Sequence, residues 1–239
     1  MEAWTIKESC FNQRGETMKR LYAIGTGPGD KELLTLKAIK RIKEADIIFA
    51  PHNKGRNMAL DIVKEYVQDK KLVLLNLPMG KVTKQDYTDA AKTIYDLIPE
   101  GKCGAYLTIG DPMIYSTFIY IMKELEKRKI QVDIISGIPS FVAAAAQTKI
   151  PLAVKGDKFL LVDEFCQELL DDINSLCILK TLRDKKAILD SLEEKGFSYK
   201  YVKRVSLEEE NILTDKDKEE IINDKDYMTL ILGKKKDNA

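Results

Sequence analysis

The chain has 239 residues, which at about 150 residues per ordinary domain fits one large domain or two small ones. Lysine plus arginine count 39 and aspartate plus glutamate 38, so the net charge is +1. That balance argues against a dedicated nucleic-acid binder, which usually shows a strongly basic face, and 44% hydrophobic with 32% charged residues is wrong for a disordered chain.

Residues 1–17 show no periodicity and read as an N-terminal extension outside the fold, with Trp4 and Phe11 as its available anchors. From Met18 onward strand and helix patterns alternate. Short apolar runs predict strands at 21–24, 47–50 (closed by Pro51), 72–75, 103–109 and 132–135. Asp30 is the expected N-cap of the first helix. Leu33, Leu34, Leu36, Ala38, Ile39 and Ile42 mark the buried face of that helix. Further helices are expected at 58–67, 87–98, 117–127 and 141–147. Buried strands alternating with amphipathic helices imply an α/β domain over 18–147 with a mostly parallel sheet. Residues 148–157, with Pro151 and Gly156, read as a linker to a second α/β domain over 158–239. Strand-like runs there fall at 159–162, 176–179, 199–205 and 227–232, with helical segments between them. The alanine-rich run 141–146 reads as core packing. Glu208, Glu209, Glu210 and the tail 234–239 read as solvated surface. No internal repeat or low-complexity linker interrupts the pattern.

The four cysteines, Cys10, Cys103, Cys166 and Cys177, form no C-x-x-C pair and are too scattered for a secreted disulfide scaffold. They read as reduced thiols in a cytoplasmic protein. With His52 as the single histidine, no protein-bound metal is expected. The apolar runs 45–51 and 141–146 are too short to span a membrane. Residues 1–20 lack the apolar middle of a signal peptide.

Three loops follow strands and precede helices. The first is Gly25-Thr26-Gly27-Pro28-Gly29-Asp30, where glycine lets backbone approach a ligand or another chain closely. It is not a dinucleotide fingerprint. Asp30 stands where the third glycine belongs, and an acid there opposes a pyrophosphate at a helix N-terminus. Asp46 precedes its strand, whereas a ribose-binding acid follows one. Nor is Gly80-Lys81-Val82-Thr83 a P-loop, since it lacks the upstream glycine and the G-K-[ST] ending. The second loop runs from Thr108 and Ile109 through Gly110-Asp111-Pro112-Met113-Ile114-Tyr115 to Ser116 and Thr117. The third is Ser136-Gly137-Ile138-Pro139-Ser140. Each taken singly is also explained as a capped strand-to-helix turn. Three at the carboxyl ends of strands point to a shared binding edge, where open α/β sheets take their ligands.

Taken together, Gly25-x-Gly27-Pro28-Gly29-Asp30, Gly110-Asp111-Pro112-x-x-Tyr115, Gly137-Ile138-Pro139-Ser140 and Ile150-Pro151-Leu152 resemble the tetrapyrrole (corrin/porphyrin) methylase family, over about residues 18–233. Leu77-Pro78-Met79 and the stretch from Gly110 to Thr117 are most similar to the family's C-20 methyltransferases of cobalamin synthesis, which act on precorrin-2 or cobalt-factor II. The resemblance implies two α/β domains with S-adenosylmethionine in the cleft between them, no protein-bound metal, and a homodimer. By the same resemblance Pro28 lies near this methyl donor, and Ile109, Gly110, Asp111 and Ile114 hold its methionine end with Thr117 close by. Pro139 and Ser140 are a further contact, and Lys180 and Val205 meet the adenosine, largely through backbone.

The sulfonium makes the methyl a good electrophile, so the protein mainly has to orient a macrocycle carbon, about 3–3.5 Å away, for in-line transfer. The methylated carbon later loses a proton, for which His52, Asp111 and Tyr115 are the candidate acceptors. The carboxylates of a precorrin-like substrate call for cations, and Lys54, Arg56, Lys81 and Lys84 are the candidates. The resemblance favours the cobalt-containing substrate. Alternatives are metal-free precorrin-2, another corrin position, a diphthamide or rRNA methylase, and a non-catalytic module holding a tetrapyrrole or nucleotide with the same fold. A nicotinamide oxidoreductase is disfavoured by Asp30 and Asp46.

Overall fold

The computed structural model describes residues 17–52, 57–77 and 82–236. The expected extension up to residue 16, with Trp4 and Phe11, and the candidates Lys54, Arg56 and Lys81 lie outside the described residues, as do Pro78 and Met79. The chain divides into two compact units between Pro139 and Ser140.

The first unit is built on a parallel sheet of β1 (Lys19–Gly25), β2 (Ile47–His52), β3 (Lys71–Asn76), β4 (Cys103–Thr108) and β5 (Ile130–Ile135), ordered β3-β2-β4-β1-β5. A parallel sheet covered on both faces demands strands that are apolar throughout, and every residue of β4 is buried. Period-two alternation then divides the core. Tyr22, Ile24 and Ile48 face α1 (Leu36–Glu44) and α2 (Met58–Ile62), while Leu21, Ala23, Phe49 and Tyr106 face α3 (Lys84–Leu97) and α4 (Phe118–Leu125).

Four expectations in this unit are corrected. Asp30 caps only a single 3-10 turn, Lys31–Leu33, by accepting from the Glu32 N–H at 2.8 Å; the helix itself begins at Leu36, capped by Thr35. The buried face is Ala38 and Ile42, and Leu36 is 86% exposed because it sits one turn early on the wrong side. Pro51 does not close β2, which continues to His52. Pairing of β2 with β4 ends at Phe49, so the missing proline N–H leaves no ladder bond unmade on that side. The helix expected over 58–67 breaks after Ile62 into a 3-10 turn, Lys64–Tyr66.

The second unit carries α5 (Ser140–Thr148), β6 (Phe159–Val162), β7 (Ser175–Leu179), α6 (Lys185–Glu194), β8 (Phe197–Lys203), β9 (Asn211–Thr214), α7 (Lys218–Asn223) and β10 (Thr229–Lys235). Its sheet is mixed, ordered β6-β7-β10-β8-β9, with only β6 and β7 parallel. Strand β9 has no counterpart in the sequence reading. Its run is short and polar, and the connection 204–210 is too short for anything but an antiparallel return. Helix α5 packs against β10, so the division precedes α5 and residues 148–157 lie inside the second unit. There Asp157 accepts from the Val154 N–H at 3.0 Å and pairs with Lys234 at 2.5 Å. Lys234 therefore belongs to β10 rather than to a solvated tail, and residues 237–239 lie outside the described residues. Phe141, Ala143 and Ala144 are buried as core. Among the described residues Cys103, Cys166 and Cys177 are free thiols, and no helix is long and apolar enough to cross a membrane.

Candidate functional site

The three glycine loops leave the carboxyl ends of β4, β1 and β5, which are neighbours in the first sheet. Their closest contacts are backbone to backbone. The Gly110 N–H donates to the Gly27 carbonyl at 2.8 Å and the Gly27 N–H returns to Gly110 at 3.3 Å. Both residues take left-handed backbone, at φ +68 and +77, which glycine adopts at no steric cost. Gly25 and Gly137 allow an even closer approach. A Cβ on Gly25 would stand 2.4 Å from the Gly110 oxygen, and one on Gly137 would stand 2.2 Å from it. Thr26 locks the neighbouring step, its N–H and hydroxyl both donating to the Thr108 carbonyl at 2.8 and 3.1 Å.

Asp111 joins two of the loops. One carboxylate oxygen accepts from the Gly137 N–H at 3.1 Å and the other from the Met113 N–H at 2.8 Å. The carboxylate is therefore anchored by two backbone donors. Ser116, not Thr117, caps the following helix: it accepts from the Phe118 N–H at 3.2 Å and lies 3.3 Å from the Thr108 hydroxyl. Thr117 makes no capping bond. Pro28 is buried, whereas Ile109, Ile114, Pro139 and Ser140 are half-buried. Met113 and Tyr115 are exposed, and Tyr115 is held at φ +46, a conformation a bulky side chain adopts only when its surroundings impose it.

A ligand would find room at Gly110. A Cβ built there would touch only the Pro139 Cα, at 3.8 Å, so the glycine leaves open a cradle that a side chain would fill. Together with the carboxylate of Asp111, the loops offer close backbone contact and a negative charge, the donor set an amino-acid moiety and a sulfonium require.

His52 ends β2, the other neighbour of β4, and is exposed at this same end of the sheet. Asp46 lies at the opposite end, where it accepts from the Cys103 N–H at 3.0 Å at the start of β4, far from any ribose-binding position. Lys84 opens α3 and is exposed. A hydrogen bond from Lys127 holds the Glu124 carboxyl below its usual range, and Lys84 and Arg128 add to that field. Lys84 thus faces α4.

In the second unit, Lys180 and Val205 stand at adjoining strand ends. Lys180 follows β7 with φ +55, its N–H donating to the Thr229 carbonyl at 2.9 Å. Val205 follows β8 and is 6% exposed. Glu209 pairs with Arg204, and Glu210 accepts from the Ser206 N–H at 2.6 Å, so these two acids serve this rim instead of merely facing solvent. Sequence reasoning placed Gly25, Gly137 and Ser116 in strand-to-helix loops as close-approach, turn or capping residues, without their partners. Their spacing is the signal, but the distances that give them roles are long-range.

Residues 20–219 match the family model of the tetrapyrrole (corrin/porphyrin) methylases. A protein of Methanocaldococcus jannaschii, named as a probable cobalt-precorrin-2 C(20)-methyltransferase, is 34% identical over 91% of this chain and 97% of its own. The cobalt-precorrin-2 C(20)-methyltransferase of Salmonella typhimurium is 30% identical over 60% of this chain and 62% of its own. The fold matches the uroporphyrin-III C-methyltransferase of Thermus thermophilus, solved with S-adenosylhomocysteine, at a TM-score of 0.67 and 20% identity, covering 90% of this chain and 97% of that one.

Proposed function

This chain belongs to the tetrapyrrole (corrin/porphyrin) methylases, and from that premise we propose that it transfers a methyl group from S-adenosylmethionine to the C-20 meso carbon of cobalt-factor II (cobalt-precorrin-2) in cobalamin biosynthesis. The observation that carries the reading is the glycine cradle: three strand ends held backbone to backbone, open at Gly110, beside the anchored carboxylate of Asp111. The close relationship to a full-length relative named for that reaction selects the carbon and the cobalt-containing substrate. The same reading makes the protein a cytoplasmic homodimer.

The sulfonium of the bound donor supplies an electrophilic methyl. The chain's residues supply orientation. In this proposal Ile109, Gly110, Asp111 and Ile114 hold the methionine end with Thr117 close by, Pro28 lies near the donor, and Pro139 and Ser140 are a further contact. Asp111 meets the ammonium with the lone pairs its two backbone bonds leave over. Lys180 and Val205 take the adenosine. A site of this kind needs no nucleophile, since holding the reacting atoms in line provides most of the acceleration. Lys54, Arg56, Lys81 and Lys84 are proposed for the carboxylates of the macrocycle. Loss of the proton from the methylated carbon falls to His52 or Tyr115, because Asp111 is engaged as an anchor.

Incubation with isotopically labelled S-adenosylmethionine and either cobalt-factor II or precorrin-2 tests the assignment. The expected product carries one label at C-20, formed faster from the cobalt-containing substrate. A label at another carbon overturns the C-20 reading and spares the family.

A further inference from the structure

The rim of the second sheet that bears Lys180 and Val205 is held by charged side chains. Strand β10 runs antiparallel to both β7 and β8, so its start lies beside their ends, with Leu230 opposite Leu179 and Thr229 opposite Lys203. The turn leading into β10, residues 224–229, is tied to both neighbours. Its Thr229 carbonyl accepts from the Lys180 N–H at 2.9 Å, and its Met228 carbonyl accepts from the Arg204 N–H at 2.8 Å. The Thr181 and Thr229 hydroxyls lie 3.0 Å apart.

The charges reinforce these ties. Lys185, buried at 4% exposure, donates to the Asp224 carbonyl and stands 5.2 Å from the centre of the Tyr201 ring. Lys203 pairs with Asp224 at 2.9 Å, and Arg204 with Asp226 at 2.6 Å and with Glu209. Asp226 also accepts from the Met228 N–H at 2.9 Å.

Two features show that this is more than a closed turn. Four of the six non-glycine residues with left-handed backbone among the described residues lie on this rim, at Lys180, Asp184, Arg204 and Ser206. Such residues persist only where the surroundings over-determine them. The second feature is Val205. Its side chain is buried, yet among the described residues no hydrogen bond uses its N–H or carbonyl. Buried backbone groups are almost always paired. A free N–H beside a free carbonyl matches the ring acceptor and amino donor on one edge of adenine.

Resting on the function proposed above, we propose that Asp226, Arg204, Asp224 and Lys185 are positioning residues that set the Val205 backbone to read the adenine amino edge, without touching the donor themselves. Lys185 is buried, but the Lys203 and Arg204 side chains are each 30% exposed and Glu209 is 64% exposed, so these pairs add little stability of their own. What charged, hydrogen-bonded partners add is a single fixed geometry.

Calorimetry with S-adenosylhomocysteine and with its 6-oxo analogue, S-inosylhomocysteine, tests this. The analogue reverses the donor and acceptor on that edge, so the wild-type chain is expected to prefer the adenosyl compound by more than about tenfold. In Asp226→Asn, the adenosyl compound is expected to bind about tenfold more weakly and the preference to fall to about twofold, with the tetrapyrrole KM unchanged. Arg204→Gln, which leaves the backbone bond to Met228 in place, gives a milder version should Asp226→Asn not fold. Folded variants with wild-type affinity and preference overturn the positioning role and leave the function standing. Variants that lose both compounds by the same factor also overturn it, because a loosened fold does not change selectivity. A wild-type chain that binds neither compound overturns the proposed function, and this inference with it.

Discussion

The two sheets present backbone at their strand ends by opposite means. In the first unit, Gly25, Gly110 and Gly137 bring three strand ends into contact with no side chain between them. In the second, Lys180 and Arg204 take left-handed backbone without being glycine; a backbone bond to Thr229 holds the first, and an ion pair with Asp226 holds the second. The first rim depends mainly on volume, with the Asp111 carboxylate tying two of its loops. The second depends on charge and tolerates side chains. The comparison teaches that close approach and fixed geometry are separate requirements: glycine meets the first, and a network of hydrogen-bonded charges meets the second.

The comparison breaks most visibly at Gly25. Gly25→Ala places a Cβ 2.4 Å from the Gly110 oxygen and 2.6 Å from the Gly137 nitrogen, both backbone atoms that cannot turn aside. Overpacking of this kind is expected to cost about 3 kcal/mol in urea unfolding. Gly110→Val differs, because its Cβ direction is open and only φ +68 is violated. That strain costs about 2 kcal/mol. The larger effect falls on the cradle, where S-adenosylhomocysteine binding is expected to drop by about a hundredfold, the loss that follows when a side chain occupies ligand space. Unchanged affinity in a folded Gly110→Val chain would remove Gly110 from the site.

Acid sharpens the contrast. Burial raises the Asp224 pKa, but the Asp226 N–H and Lys203 outweigh it and hold the carboxyl below the usual aspartate range. With the folded pKa below the unfolded one, ionised Asp224 stabilises the fold above about pH 4, and that contribution is lost as pH falls through the folded value. Amide-exchange protection is therefore expected to fall with acid in the turn 224–229 before it falls at Gly27 and Gly110, whose mutual bonds carry no titrating group. Equal loss at both rims would refute the distinction.

The first rim was the more legible of the two in the amino-acid sequence. Strands β1, β2 and β4 of the first unit announce themselves by apolar runs and β5 by an apolar pattern interrupted at Gln131 and Asp133, and glycine and proline mark the loops between them and the helices. Gly110 and Asp111 stood out because glycine permits close approach and an acid can accept from an ammonium, and the family resemblance gave them their proposed role. What could not be read was the partner of each loop: nothing local says that Gly25 lies against Gly137, or that Asp111 spends its oxygens on Gly137 and Met113. The second rim hid more. Glu209 and Lys234 looked like solvated charge because a salt bridge leaves no periodic trace. Strand β9, Asn211–Thr214, is too short and polar to show alternation. Asp30 misled as a helix cap because its Asx turn satisfies a 3-10 turn equally well.

The finest test of the comparison lies beneath each rim, where one tyrosine sits with its phenol oxygen buried and without a hydrogen bond: Tyr106 on β4 and Tyr201 on β8. Burial pushes both phenols up, Tyr106 far above the usual tyrosine range and Tyr201 to about 12. The hydroxyls of Thr117 near Tyr106 and of Thr229 near Tyr201 soften the rise without making a bond. A buried hydroxyl without a partner carries its desolvation cost uncompensated, so Tyr106→Phe and Tyr201→Phe are each expected to lower stability by no more than about 0.5 kcal/mol. The two variants should still part company in binding. Tyr201→Phe keeps an aromatic ring beneath Lys185, whose ammonium lies 5.2 Å from the ring centre, so the charged frame and the adenosyl preference are expected to survive it. Tyr106→Phe leaves the glycine contacts untouched, but it removes a hydroxyl near Thr117, and a change of up to about twofold in S-adenosylhomocysteine affinity is expected there alone. A destabilisation above about 2 kcal/mol in either variant would mean that the phenol is paired after all, since that is the cost of a lost buried hydrogen bond.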